Sequence, residues 1–139
     1  MTDKIIALDA FVRGYVVCAL WSSTDDDGEP LDDNYGEDDI APQCLAGMRA
    51  DCVSFIDAQM EDLKQYVARM SRDAGEAWSS AGHDFWLTRN GHGAGFWDRG
   101  LGELGDRLSA AAKVYQGQDL YVGDDGKLYI GGLENFKED

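Results

Sequence analysis

Basic residues are scarce in this chain. Twelve Lys and Arg stand against 27 Asp and Glu, a formal net charge of -15 over 139 residues. A protein that grips duplex DNA neutralises phosphates with cations, so this balance excludes direct duplex binding as the main activity. It excludes attachment to anionic membrane surfaces for the same reason. Long apolar runs are also missing. The longest, Ile5 to Trp21, is interrupted by Asp9 and Arg13 and is too short to span a bilayer. With no leader pattern ahead of it, the expected compartment is the cytoplasm. Cysteine is sparse and odd in number, at positions 18, 44 and 52, with no C-x-x-C pair. Cys44 and Cys52 on one helix would stand about 12 Å apart by helical rise, too far for a disulfide. Buried thiols in a reducing compartment are expected.

What is present suffices for one folded domain spanning residues 1–139. The sequence is 44% hydrophobic and 11% aromatic, richer in rings than a disordered chain. Asp9 is placed to cap a helix over about residues 10–22, with Ile5 to Ala7 as a strand or lead-in. The positions Leu45, Met48, Cys52, Ile56, Met60, Leu63, Val67 and Met70 recur at steps of three or four. They predict one long helix entered at Pro42. Asp73 with Glu76 forms a capping signature for a helix that Asn90-Gly91 ends. Leu101, Leu104, Leu108, Ala111 and Tyr115 share a face of a further helix. Leu120 to Val122 and Lys127 to Ile130 flank a Gly-Asp-Asp-Gly turn and predict a hairpin. The expected fold is therefore α+β and mainly helical, about four helices with a C-terminal β-hairpin.

The acid is unevenly placed. Residues 1–62 hold 15 of the 27 acids and only three bases. Between about residues 23 and 40 lie nine acids and no base, with Gly28, Pro30, Asn34 and Gly36 to break regular structure. A solvated, mobile acidic loop is expected there. No calcium loop fits. Counted from Asp25, the sixth and twelfth positions are Pro30 and Gly36. Counted from Asp32, the fifth and sixth are Gly36 and Glu37. The remaining readings are solubility and an acidic surface that meets a basic partner. That surface comprises Asp25, Asp26, Asp27, Asp32, Asp33, Asp38 and Asp39 on the loop. Asp51, Asp57, Glu61 and Asp62 join it from the outward face of the long helix.

Both histidines fall in one segment. His83, His92 and Asp98 form an alternative site for metal or acid–base chemistry, although their spacing matches no standard ligand pattern. The structural alternative is a turn in which Asp98 pairs with Arg89 or Arg99. Gly91 to Gly95 lacks the Lys of a phosphate loop and reads as a tight path that turns Phe96 and Trp97 into the core. A base-stacking platform of Phe85, Trp86, Phe96 and Trp97 is disfavoured by the negative field. No cofactor is expected.

The strings Asp84-Phe85-Trp86-Leu87-Thr88-Arg89, Gly91-His92-Gly93 and Gly95-Phe96-Trp97-Asp98-Arg99, with Leu120 through Lys127, carry a resemblance. They resemble a group of small acidic proteins of bacteriophages, plasmids and related mobile elements. The likeness covers about residues 82–130 and brings no catalytic role with it. It implies a bacterial host cell and a setting in which such proteins disable host defences of the CRISPR or restriction type, some as nucleic-acid mimics. The expected function is a non-enzymatic inhibitor that binds a basic, nucleic-acid-binding defence protein. The alternatives are a small enzyme at the His83 region and an accessory module that binds protein through aromatics around Trp97.

Overall fold

The computed structural model describes residues 2–25, 27–70, 73–91 and 95–131, the first five by backbone alone. Among these are five α-helices: α1 Thr2–Ser22, α2 Pro42–Ala58, α3 Met60–Met70, α4 Ala74–Arg89 and α5 Glu103–Lys113. An antiparallel hairpin follows, β1 Asp119–Val122 and β2 Leu128–Gly131, with Leu120 opposite Ile130 and Tyr121 opposite Tyr129. The architecture is mainly helical α+β. None of the described helices is long and apolar enough to cross a membrane.

Two helix boundaries differ from expectation. Asp9 does not cap α1, which already begins at Thr2; its carboxylate lies 3.7 Å from Arg49. The expected long helix is broken at Gln59, whose φ of -114° and ψ of 23° bend the chain between α2 and α3. Neither Gly nor Pro marks that bend. Packing accounts for it: Phe55 and Ile56 close the α2 end of the core, and the turn brings Leu63 and Tyr66 of α3 against α4 and Phe96. Leu101 and Tyr115, expected on the last helix, lie just outside α5, while the signals that bound α4 hold. Asp73 accepts a hydrogen bond from the Glu76 backbone at 3.0 Å, and Gly91, at φ 71°, follows the C-cap Asn90.

The centre of the fold is a pair of helices, α1 and α4. Phe11 and Tyr15 meet Gly82, Gly14 meets Ser79, Trp21 meets His83, and Ser22 accepts a bond from Trp86. From Gly14–Ser79 to Trp21–His83 and Ser22–Trp86 the partners advance together, so the two helices run parallel, with α2 and α3 forming the return. Close approach depends on glycine. A Cβ on Gly14 would collide with the Ser79 carbonyl, and one on Gly82 with the Phe11 carbonyl. Around this pair, Phe55 stacks on Phe85 at 4.2 Å, and Phe11, Tyr15, Phe96 and Tyr115 complete an aromatic core. The hairpin is too small to stand alone. It buries Leu120 and Leu128, and Leu128 accepts a hydrogen bond from the Ala41 backbone at 2.8 Å.

The loop between α1 and α2 has more internal structure than the breaking residues suggest. It contains 3-10 turns at Leu31–Asp33 and Glu37–Asp39, a bridge between Thr24 and Pro30, and a second between Ile40 and Leu128. Leu31 and Ile40 are buried in the main core. The segment is thus pinned at its middle and at its C-terminal end by apolar side chains.

Candidate functional site

The acidic residues fall into two kinds. Some have carboxylates used by the fold. Asp25 accepts from the backbones of Asp27 and Glu29 at 2.9 and 3.0 Å and closes a turn. Asp39 accepts from the Gly36 backbone at 2.8 Å. Asp51 does not lie on the outward face of α2. It turns toward Arg89 and pairs with it at 2.8 Å. Asp62 is also taken, by a two-point contact with Arg107 at 2.9 and 3.0 Å.

Others lie on the exposed surface. Asp27, Asp32, Asp33 and Asp38, joined by Glu29 and Glu37, are exposed on the loop. Asp57 and Glu61 are exposed at the α2–α3 bend, where a notch of about 190 Å³ is lined by Asp57, Gln59, Met60, Glu61 and Asp62. Asp26 lies outside the described residues. The two groups occupy opposite ends of α2, with about 22 Å of helical rise between Pro42 and Asp57. They form two patches, of which the loop patch carries the denser charge.

Of the alternative site, His83 and Asp98 are among the described residues and His92 is not. Asp98 pairs with neither Arg89 nor Arg99; its carboxylate accepts from the Gly95 backbone at 3.2 Å. Gly95 has a φ of 151°, and a Cβ there would strike the Thr88 hydroxyl, so only glycine fits. The Thr88 hydroxyl accepts from the Phe96 backbone at 3.1 Å. This path buries Phe96 but leaves Trp97 50% exposed, so only one of the two rings enters the core. Phe85 and Trp86 are buried and present no stacking platform. Among the described residues no group of three or more His, Cys, Asp and Glu is arranged to hold a metal.

Two buried charged residues of this segment have partners that the sequence did not indicate. Arg89, in the last turn of α4, donates to Asp51, to the Tyr15 hydroxyl, and to the carbonyls of Tyr115 and Gln116 at 2.6 to 2.9 Å. Its guanidinium also sits 5.5 Å from the centre of the Tyr115 ring. Asp84, fully buried, accepts from the Tyr66 hydroxyl at 2.6 Å and from both Nε and Nη2 of Arg99 at 3.0 and 2.7 Å. Burial alone would raise its carboxyl. The adjacent His83 ring, the Arg99 fork and the Tyr66 hydroxyl more than offset that and hold it below the usual carboxylate range. The same burial, with the Asp84 charge, pushes the Tyr66 hydroxyl up. Both networks tie the loops around α4 to the core. The charges at the two ends of the run from Asp84 to Arg89, flanking Phe85, Trp86 and Leu87, are the signal that would have found these partners, since buried charges require them.

Compared with family models, curated proteins and solved structures, the chain finds no match.

Proposed function

We propose that this chain is a non-enzymatic acidic binding protein of a phage or mobile element. In this reading its loop patch occupies the cationic surface of a nucleic-acid-binding host defence protein, of CRISPR or restriction type, in the manner of a nucleic-acid mimic. One observation carries the reading. Asp32, Asp33 and Asp38 are exposed on two 3-10 turns whose neighbours Leu31 and Ile40 are buried in the core. Carboxylates on an anchored frame lose less conformational freedom on binding than carboxylates on a free tail. Complementary charge speeds encounter and selects basic partners. The test is capture of partners from bacterial lysate by the immobilised protein, with and without competing DNA or RNA. Recovery of a basic nucleic-acid-binding protein that nucleic acid displaces supports the reading. Recovery that nucleic acid does not disturb counts against mimicry.

A second reading has its own observation. Trp97 is 50% exposed although the adjacent Phe96 is fully buried. A half-exposed Trp is a frequent anchor at protein interfaces. In that case Trp97→Ala abolishes capture and charge reversal on the loop leaves it intact.

A further inference from the structure

A groove of about 460 Å³ runs between α1 and α4, away from the loop acids. The two helices touch at Gly14 and Ser79, and both residues line the groove that opens beside this contact. In a chain with so few bases, Arg13, His83 and Arg99 all line it. Arg13 pairs with no carboxylate among the described residues. Arg99 gives Nε and Nη2 to Asp84, which fixes the direction of the fork, and Nη1 has no partner among the described residues. His83 turns Nδ1 toward Asp84, 3.9 Å away, so Nε2 is the nitrogen left for a ligand. Ser79 and Ser80 add hydroxyls to the same wall; that of Ser80 also touches the Tyr66 hydroxyl at 2.9 Å. Farther along α1 the character changes. Val17, on the groove wall, is 54% exposed, and Trp21, one turn on, is 55% exposed with one side against the His83 ring at 5.9 Å. The single acid on the wall, Glu76, lies seven residues before His83 along α4, about 10 Å away by helical rise.

We infer that this groove binds a small phosphate-bearing ligand with a planar ring, of nucleotide type. Its phosphate lies between Arg13 and the free edge of Arg99, and its ring against Val17 and Trp21. The volume falls in the range of small-molecule sites, where a few donors converge; Trp21 stands just beyond the lining, against the His83 ring that forms part of it. Planar donor forks suit phosphate oxygens, and indole faces suit a base. Asp84 acts only through Arg99 and is a positioning residue.

The test uses the full chain and adenosine monophosphate as probe, followed by calorimetry and by tryptophan fluorescence. Saturable one-site binding below about 1 mM is expected. Arg13→Gln breaks no ion pair among the described residues, so it is expected to keep the wild-type melting temperature and to weaken binding about tenfold or more. Trp21→Ala weakens it by a comparable factor. Arg49→Gln, outside the groove, leaves binding unchanged. Absence of saturation, equal binding by wild type and Arg13→Gln, or inorganic phosphate binding as tightly as the nucleotide each overturns the assignment.

Discussion

Asp51 and Arg89 form an ion pair at 2.8 Å, with the arginine side chain 2% exposed and the aspartate 32%. This relationship separates acids that hold the fold from acids available to a partner. Removing the aspartate strands a buried guanidinium, which typically costs 3–5 kcal/mol. Arg89 retains three neutral acceptors, so Asp51→Ala is expected to lose about 3 kcal/mol of unfolding free energy. Asp32→Ala, at an exposed position with no such contact, is expected to stay within about 0.5 kcal/mol of wild type. Urea unfolding followed by circular dichroism distinguishes the two.

The parallel α1–α4 contact sets a second expectation. Gly14→Ala drives a methyl into the Ser79 carbonyl and forces the helices apart. A loss of about 1–3 kcal/mol follows from overpacking. Gly47→Ala has open space in front of it on α2 and relieves a glycine within a helix, so a small gain is expected there. Thermal unfolding of the two variants gives opposite signs if the crossing is as described.

Asp84 makes stability depend on pH in a definite direction. Its carboxyl is held below its unfolded value of about 3.9. The contribution is therefore fully present above that value and is lost as pH falls through the lower, folded value. Asp84→Asn lowers stability at pH 7 by about 2–3 kcal/mol, because Tyr66 and Arg99 lose a charged acceptor. The gap between wild type and variant begins to close below about pH 4 and narrows as pH falls through the folded value. Comparing the two proteins cancels the opposite trend from the exposed acids, whose mutual repulsion eases in acid.

Thiol chemistry gives an independent check on the core. Burial pushes the Cys18 thiol up to about 12 and raises that of Cys52 as well, while Cys44 is only half-buried. Reactivity follows the thiolate. At pH 8 a disulfide reagent is expected to modify Cys44 alone within minutes, and all three cysteines in urea. Rapid modification of Cys18 in the native protein would contradict the packing of α1.

The hairpin, the capped start of α4 and its Asn90-Gly91 end were legible because each rests on local rules of turn chemistry and capping. The bend at Gln59 was not, because the apolar positions Ile56 and Leu63 stand seven apart on either side and mimic a continuous helix. Asp51 illustrates the limit at the site. It was set with Asp57 on an exposed side, although six residues of helix put the two about 120° apart, and the position of Arg89, 38 residues later, draws it inward. Leu31 was hidden in the same way. A lone apolar residue among acids carries no periodicity, yet it fixes the frame on which Asp32 and Asp33 are displayed.

The central claim is that the loop carboxylates form the binding surface. Charge reversal of Asp32, Asp33 and Asp38 to lysine is compared with reversal of Glu103, Asp106 and Asp124, three exposed acids elsewhere. Both variants change the net charge equally. The measurement is affinity for the captured basic partner at two salt concentrations, with folding verified by thermal unfolding. The account predicts that the loop variant loses binding and its salt dependence, while the second variant keeps most of both. Equal losses in the two variants, or retained binding by the loop variant, would contradict it.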